Sequence, residues 1–196
     1  TVAGRFNQTR VRNRDNVTPG GGSGSLDGDY TYTRLNPAIG VTWAASRALT
    51  VYGGYSESSR APTSIELGCA DPANPCRLPN AMTRDPPLKQ VVARTIEAGV
   101  RGALPGGLRW NAGVFRSENT DDILFVADDQ TGFGYFRNFG KTLRQGVELG
   151  LSGRTGPLSF GSQYTFLDAT YRTSETVNGG SNSANDAAQA GLRGVD

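Results

Sequence analysis

Apolar and polar residues alternate with a period of two over much of this chain, and that pattern restricts its fold more than any other feature. Side chains of an extended strand point alternately to opposite faces, so each such run builds one apolar and one polar face. In residues 146–152, Val147, Leu149 and Leu151 fall on one side and Glu148, Gly150 and Ser152 on the other. Leu108, Trp110, Ala112 and Val114 alternate with Arg109, Asn111, Gly113 and Phe115, and Ile96, Ala98 and Val100 with Glu97, Gly99 and Arg101. Ile39, Val41 and Trp43 oppose Gly40, Thr42 and Ala44, while Phe160, Ser162, Tyr164 and Phe166 oppose Gly161, Gln163, Thr165 and Leu167. No stretch of useful length carries the 3.6-residue period of a helix, and about seven segments read as strands. The expected class is all-β and antiparallel.

The connections fall into two kinds that alternate. Residues 45–48, 105–107 and 155–157 are short and rich in turn-forming or small residues; 15–27, 60–87, 127–132 and 174 onward are long. Short turns on one side and long loops on the other are the pattern of an outer-membrane β-barrel. The strands, such as 134–153 and 29–45, are also far longer than the ~5–6 residues usual in soluble sheets, and ~9–11 residues suffice to cross a bilayer. Mean hydropathy is −0.42, and the longest clean apolar run, 123–127, is far short of the ~18 residues of a membrane helix. Barrel strands escape such a criterion because their lipid-facing and lumen-facing residues average out.

Little else is open to the chain. Lys and Arg number 20 against 18 Asp and Glu, with no run of like sign, which leaves no nucleic-acid surface. There is no histidine, hence no Ser-His-Asp or Cys-His machinery, and we expect no enzyme, no cofactor and no metal site. The pairs Asp121-Asp122 and Asp128-Asp129 match no EF-hand spacing and read as solvated carboxylates in or near a loop. Cys69 and Cys76 sit in the short loop CADPANPC; a local disulfide formed in an oxidising compartment is favoured over two reduced thiols.

Carried onto a barrel, the alternation turns Glu97, Arg101, Arg109, Asn111 and Glu148 to the lumen and the apolar sets to lipid. Trp43, Trp110 and Phe160 each lie close to a short turn on the apolar side, and are expected at one height in the periplasmic aromatic girdle. Charges interrupt the apolar face near the long-loop ends, as at Arg116 and Asp168. Counting back from Val147 puts Gln145 on that face too, which means either a bulge at Gly146 or a position above the lipid band.

A series of short blocks carries a resemblance. It runs from Asn36-Pro37-Ala38-Ile39-Gly40 through Leu49-Thr50-Val51-Tyr52-Gly53-Gly54-Tyr55-Ser56, Arg60-Ala61-Pro62-Thr63 and Glu66-Leu67 to Leu88-Lys89. Thr95-Ile96-Glu97-Ala98-Gly99, Asn111-Ala112-Gly113-Val114-Phe115-Arg116, Asp121-Asp122-Ile123, Phe136-Arg137-Asn138, Gly146-Val147-Glu148-Leu149 and Tyr164-Thr165-Phe166-Leu167-Asp168-Ala169 follow. In this order and spacing, over residues 36–170, the series resembles the barrel of TonB-dependent outer-membrane receptors. The resemblance implies a stretch from the C-terminal half of a longer protein: residues 1–196 as about seven strands of a roughly 22-stranded barrel, without the plug domain. It further implies Gram-negative outer-membrane location, lipid as a partner, the TonB complex reached through the missing plug, and energised uptake of a scarce ligand such as a ferric siderophore or other metal chelate. Ligand capture would belong to 60–87 and 127–132. One departure is Gln90, where the family usually has a Pro-Glu pair after Leu-Lys. A passive porin shares the alternation but would lack the Asn-Pro, Arg-Ala-Pro and Asp-Asp-Ile blocks in series; a structural or adhesive surface β-protein is the third reading.

Overall fold

The computed structural model describes residues 1–16, 19–20, 25–68, 88–127, 134–173, 176–177 and 193–194. Seven strands dominate it: β1 (Val2–Asn13), β2 (Gly28–Ala44), β3 (Leu49–Arg60), β4 (Val91–Leu104), β5 (Leu108–Ala127), β6 (Gly134–Thr155) and β7 (Leu158–Tyr171). They form one sheet in sequence order, each antiparallel to the next. One short helix, α1 (Ser64–Gly68), leaves the end of β3, and a two-residue ladder joins β8 (Thr176–Val177) to β9 (Arg193–Gly194). β6 at 22 residues and β5 at 20 are the longest strands, and with the rest they confirm the expected all-β antiparallel class.

The tight connections suit their residues. Gly106 (φ 83) and Gly107 (φ 80) turn β4 into β5, and Gly156 (φ 57) turns β6 into β7, in the left-handed region where a Cβ is disfavoured. Other glycines make room for rings on the neighbouring strand. A Cβ at Gly102 would lie 2.9 Å from Trp110, one at Gly146 2.9 Å from Phe115 and one at Gly153 2.7 Å from Phe160; at Gly99 it would run into the Tyr52 phenol. Glycine, 27 of the 196 residues, thus serves partly as a cross-strand packing device.

β2 and β3 part company. Their ladder ends at Ala38↔Ser56, whereas β2 keeps pairing with β1 up to Gly28. Residues 88–90 fill the gap: the Tyr32 hydroxyl donates to the Leu88 carbonyl (3.0 Å) and the Gln90 amide to the Thr33 carbonyl (3.2 Å). Arg34 to Glu57 (2.6 Å) and Asn36 to Ser59 (3.1 Å) bridge what remains.

The buried apolar cluster sits here. Leu67 of α1 packs with Leu88, Val91 and Ile123, ringed by Val11, Tyr30, Tyr32 and Phe136. Those residues come from β1, β2, β4, β5 and β6, so the sheet curves around Leu67 and the cluster marks its concave side. Thr63 and Glu66 cap the helix reciprocally: the Thr63 amide donates to the Glu66 carboxylate (2.7 Å) and the Glu66 amide to the Thr63 hydroxyl (3.2 Å). Arg60 clamps the same carboxylate with two bonds of 2.8 and 3.0 Å. Burial works against charge on Glu66, but the bonds from Arg60 and the Thr63 amide outweigh it and hold its pKa below the ordinary value.

Candidate functional site

Strand register assigns every side chain to a face, because directly paired residues point the same way. One row runs Trp43–Val51–Val100–Ala112–Leu149–Tyr164 and the next towards the long loops Gly53–Ala98–Val114–Val147–Phe166. This face carries large apolar side chains in the open: Val41 is 66% exposed, Ile96 60% and Phe166 55%. The other face holds the rows Thr50–Arg101–Asn111–Gly150–Gln163, Tyr52–Gly99–Gly113–Glu148–Thr165 and Gly54–Glu97–Phe115–Gly146–Leu167. Val11, Tyr30 and Tyr32 belong to this second face by the same register, so it is the concave one.

Glu97, Arg101, Arg109, Asn111 and Glu148 therefore share the concave face. The structure groups three of them: Arg101, Arg109 and Asn111 line one cavity of about 580 Å³ with Arg47, Tyr52 and Ser152, among others. Glu97 and Glu148 stand in separate rows nearer the long loops, and among the described residues neither is joined by an ion pair to those arginines.

The convex face has a second regularity. The row through Trp43 meets β2 one residue before its end, β5 four residues after its start and β7 six residues after its start. The short turns thus fall by about one residue per strand relative to the hydrogen-bonded rows. With ~3.3 Å per residue and ~4.8 Å between strands this is a slope of roughly 35°, close to the strand tilt that closes a barrel. The aromatic residues follow it: Trp110 lies one same-face row below Trp43, beside Gly102 and Leu151, and Phe160 one row lower still, opposite Gly153.

The upper border of the apolar face falls in the same way. A single row carries Ile39, Tyr55 and Ile96 on β2 to β4, then Arg116, Gln145 and Asp168 on β5 to β7. From Leu158 to Asp168 along β7 the band spans ten residue steps, or roughly 27 Å after correction for tilt, against ~25 Å for the apolar belt of a transmembrane barrel. The register runs unbroken through Phe115↔Gly146 and Arg116↔Gln145, so no bulge resets it at Gly146; Gln145 belongs to the polar border row, where its amide donates to Asp168 (3.1 Å).

Towards the long loops, polar side chains are committed to one another. Glu57 accepts from Tyr55 (2.6 Å) and Arg34 (2.6 Å), with Arg94 at 3.5 Å. Asp121 and Asp122 stand in β5, not in a loop. Asp121 has a left-handed backbone (φ 54) and its carbonyl accepts from Asn138 (2.8 Å), while Asp122 accepts from Thr142 (2.8 Å). Asn138 also exchanges two bonds with the Lys89 backbone, 2.7 and 3.0 Å, which fixes the entry to β4 beside Gln90. Cys69, Cys76, Asp128 and Asp129 lie outside the described residues. Sequence reasoning named Tyr52 and Leu67 only within the blocks of the resemblance, gave neither a role of its own, and missed the helix, for which the Thr63-x-x-Glu66 capping pattern was the available signal.

Residues 1–194 match the protein family described as TonB dependent receptor-like, beta-barrel. Among solved structures, the chain is similar to the FrpB iron transporter from Neisseria meningitidis (F3-3 variant), at 19% identity and TM-score 0.59, over 86% of this chain and 23% of that one. The siderophore receptor PirA from Acinetobacter baumannii gives 16% identity and TM-score 0.56, over 76% and 25%. The alcaligin outer membrane receptor FauA from Bordetella pertussis gives 19% and 0.50, over 72% and 23%. The chain thus spans about a quarter of the length of these structures, and at such identities the likeness concerns the fold.

Proposed function

This chain belongs to the TonB-dependent receptor β-barrel family, whose barrels are outer-membrane transporters and not enzymes, and from that premise we propose that its sheet is part of the wall of a receptor for energised uptake of a scarce ligand, such as a ferric siderophore. The observation that carries the reading is the slanted apolar band: turns, turn-proximal aromatic residues and polar border all descend by about one residue per strand. A wall tilted through a slab of hydrocarbon requires that coincidence, and a soluble sheet does not. The convex face then meets lipid, with Trp43, Trp110 and Phe160 in the girdle, and the concave face with Glu97, Arg101, Arg109, Asn111 and Glu148 lines the lumen. A disulfide between Cys69 and Cys76 in an extracellular loop, a plug supplied by other parts of the protein, and TonB contact through that plug complete the proposal.

The inward helix favours a receptor over a passive pore, because Leu67 and its cluster occupy space on the concave side. The test is uptake of labelled ferric chelates by cells carrying the whole protein, with and without a functional TonB system. Accumulation that requires TonB supports the reading. Entry that persists without TonB and scales with external concentration would mean a porin.

A further inference from the structure

The convex face holds one groove that its apolar band alone does not explain. Ala98, Val114 and Val147, short side chains side by side in one row, form its floor, and Ile96 and Phe166 rise at its edges. Its volume is about 490 Å³. The rim towards the long loops is the border row, with Arg116, Gln145 and Asp168. Apolar floor and charged rim thus lie end to end along the strands.

Arg116 is the unusual member. Four other cations above the band are paired: Arg10 and Arg12 with Asp29, Arg94 with Glu57 and Lys141 with Glu118. Arg116 has no carboxylate partner among the described residues, and is exposed at the edge of the apolar band. Asp168, in the same rim, takes the Gln145 amide at 3.1 Å. A cation at the edge of hydrocarbon is costly unless paired, and a guanidinium suits a phosphate through two parallel charge-assisted bonds.

We propose that this groove binds a phosphate-bearing lipid of net negative charge, with the phosphate on Arg116, the Gln145 amide beside it, and one acyl chain laid over Ala98, Val114 and Val147. The site rests on the reading of the convex face as lipid-facing and adds to it a particular lipid chemistry at a particular place. It selects anionic headgroups because Arg116, without a carboxylate partner among the described residues, stands in the border row at headgroup height and leaves a positive charge that a zwitterionic headgroup would meet with its own cation, while the small floor residues leave room for a chain between Ile96 and Phe166. Arg116 contributes about a tenfold preference for the anionic lipid, equivalent to ~1.4 kcal/mol.

The intact receptor barrel is reconstituted in vesicles of phosphatidylcholine with phosphatidylglycerol, extracted into detergent, and its retained lipids counted by native mass spectrometry. Phosphatidylglycerol should be retained about tenfold over phosphatidylcholine. Arg116→Gln should abolish the preference, Val114→Trp should lower retention of both lipids, and Arg109→Gln on the concave face should change neither. Inorganic phosphate should fail to displace the lipid. Unchanged preference in Arg116→Gln, or full displacement by phosphate alone, would overturn the proposal. Quenching of Trp43 and Trp110 fluorescence by brominated chains reports insertion separately: insertion without headgroup preference defeats the groove, whereas absence of insertion defeats the lipid-facing reading beneath it.

Discussion

Arginine substitutions along β6 separate a lipid-facing wall from a sheet exposed to water. Val147, Leu149 and Leu151 are 38%, 45% and 42% exposed, so in water an arginine at any of them would cost within about 0.5 kcal/mol of the others. In a bilayer, depth decides. Gln145 lies in the polar border row and Thr155 at the short turn, which leaves Leu149 four residues from one limit and six from the other. At ~3.3 Å per residue, Leu149 sits ~13 Å along the strand below the border, close to mid-band. Leu151 is equally central, six residues from the border and four from the turn, so Leu149→Arg and Leu151→Arg should each cost about 2–4 kcal/mol, Val147→Arg less, and Gln145→Arg about 0–1 kcal/mol. Glu148→Leu, on the concave face beside Leu149, should be mild. Reversible denaturant unfolding of the barrel in phospholipid vesicles measures each value. A flat profile, or a maximum at Gln145, would refute the placement of the band.

Four further outcomes are expected. Gly99→Val should cost about 1–3 kcal/mol by overpacking, and adding Tyr52→Gly should recover only part of it, because the Ala112 carbonyl still lies 2.8 Å from the new Cβ; a neutral Gly99→Val would contradict the ring-over-glycine packing. The cap of α1 should be intact above the ordinary Glu pKa and lost as pH falls through the lowered pKa of Glu66, so amide exchange of Leu67, whose amide donates to the Thr63 carbonyl at 2.9 Å, should rise relative to its intrinsic rate only once pH is below the ordinary Glu range; Glu66→Gln should show that faster exchange already at neutral pH, and no difference from wild type would sink the idea. Titration of the native, unreduced protein should find neither Cys69 nor Cys76 reactive, and two free thiols would rule out their disulfide. Residues 1–196 expressed alone should aggregate without detergent, since an open sheet leaves unpaired edges and an uncovered apolar face; a cooperatively unfolding aqueous monomer would favour a soluble β-fold.

How much was legible in the sequence follows from which contacts are local. Alternation is local, and it marked the strands, their faces and the short turns, because each residue's direction depends only on its place in an extended run. The position of Gln145 was not local. Its ambiguity between a bulge and a border row disappears only once Arg116 and Asp168 are known to flank it across β5 and β7. The pairing of Tyr52 with Gly99 is likewise a contact between strands far apart in sequence. The helix escaped for a different reason: five residues are too few to display a 3.6 period, so Leu67 reads as one apolar residue in a long connection. The divergence of β2 from β3 above Ala38↔Ser56 has no sequence signature, since it depends on residues 88–90 returning to fill the gap.

Spin-label accessibility along residues 145–151, with the barrel in phospholipid vesicles, tests the central claim most directly. Labels at Val147, Leu149 and Leu151 should be reached by oxygen from the hydrocarbon and shielded from a water-soluble nickel reagent. Labels at Gly146, Glu148 and Gly150 should show little access to oxygen from the lipid, and Gln145 should mark the polar limit of the series. A period of two in the oxygen profile, in that phase, is what a barrel wall with its convex face in lipid predicts. The opposite phase, or equal access of the water-soluble reagent to all seven positions, would contradict it.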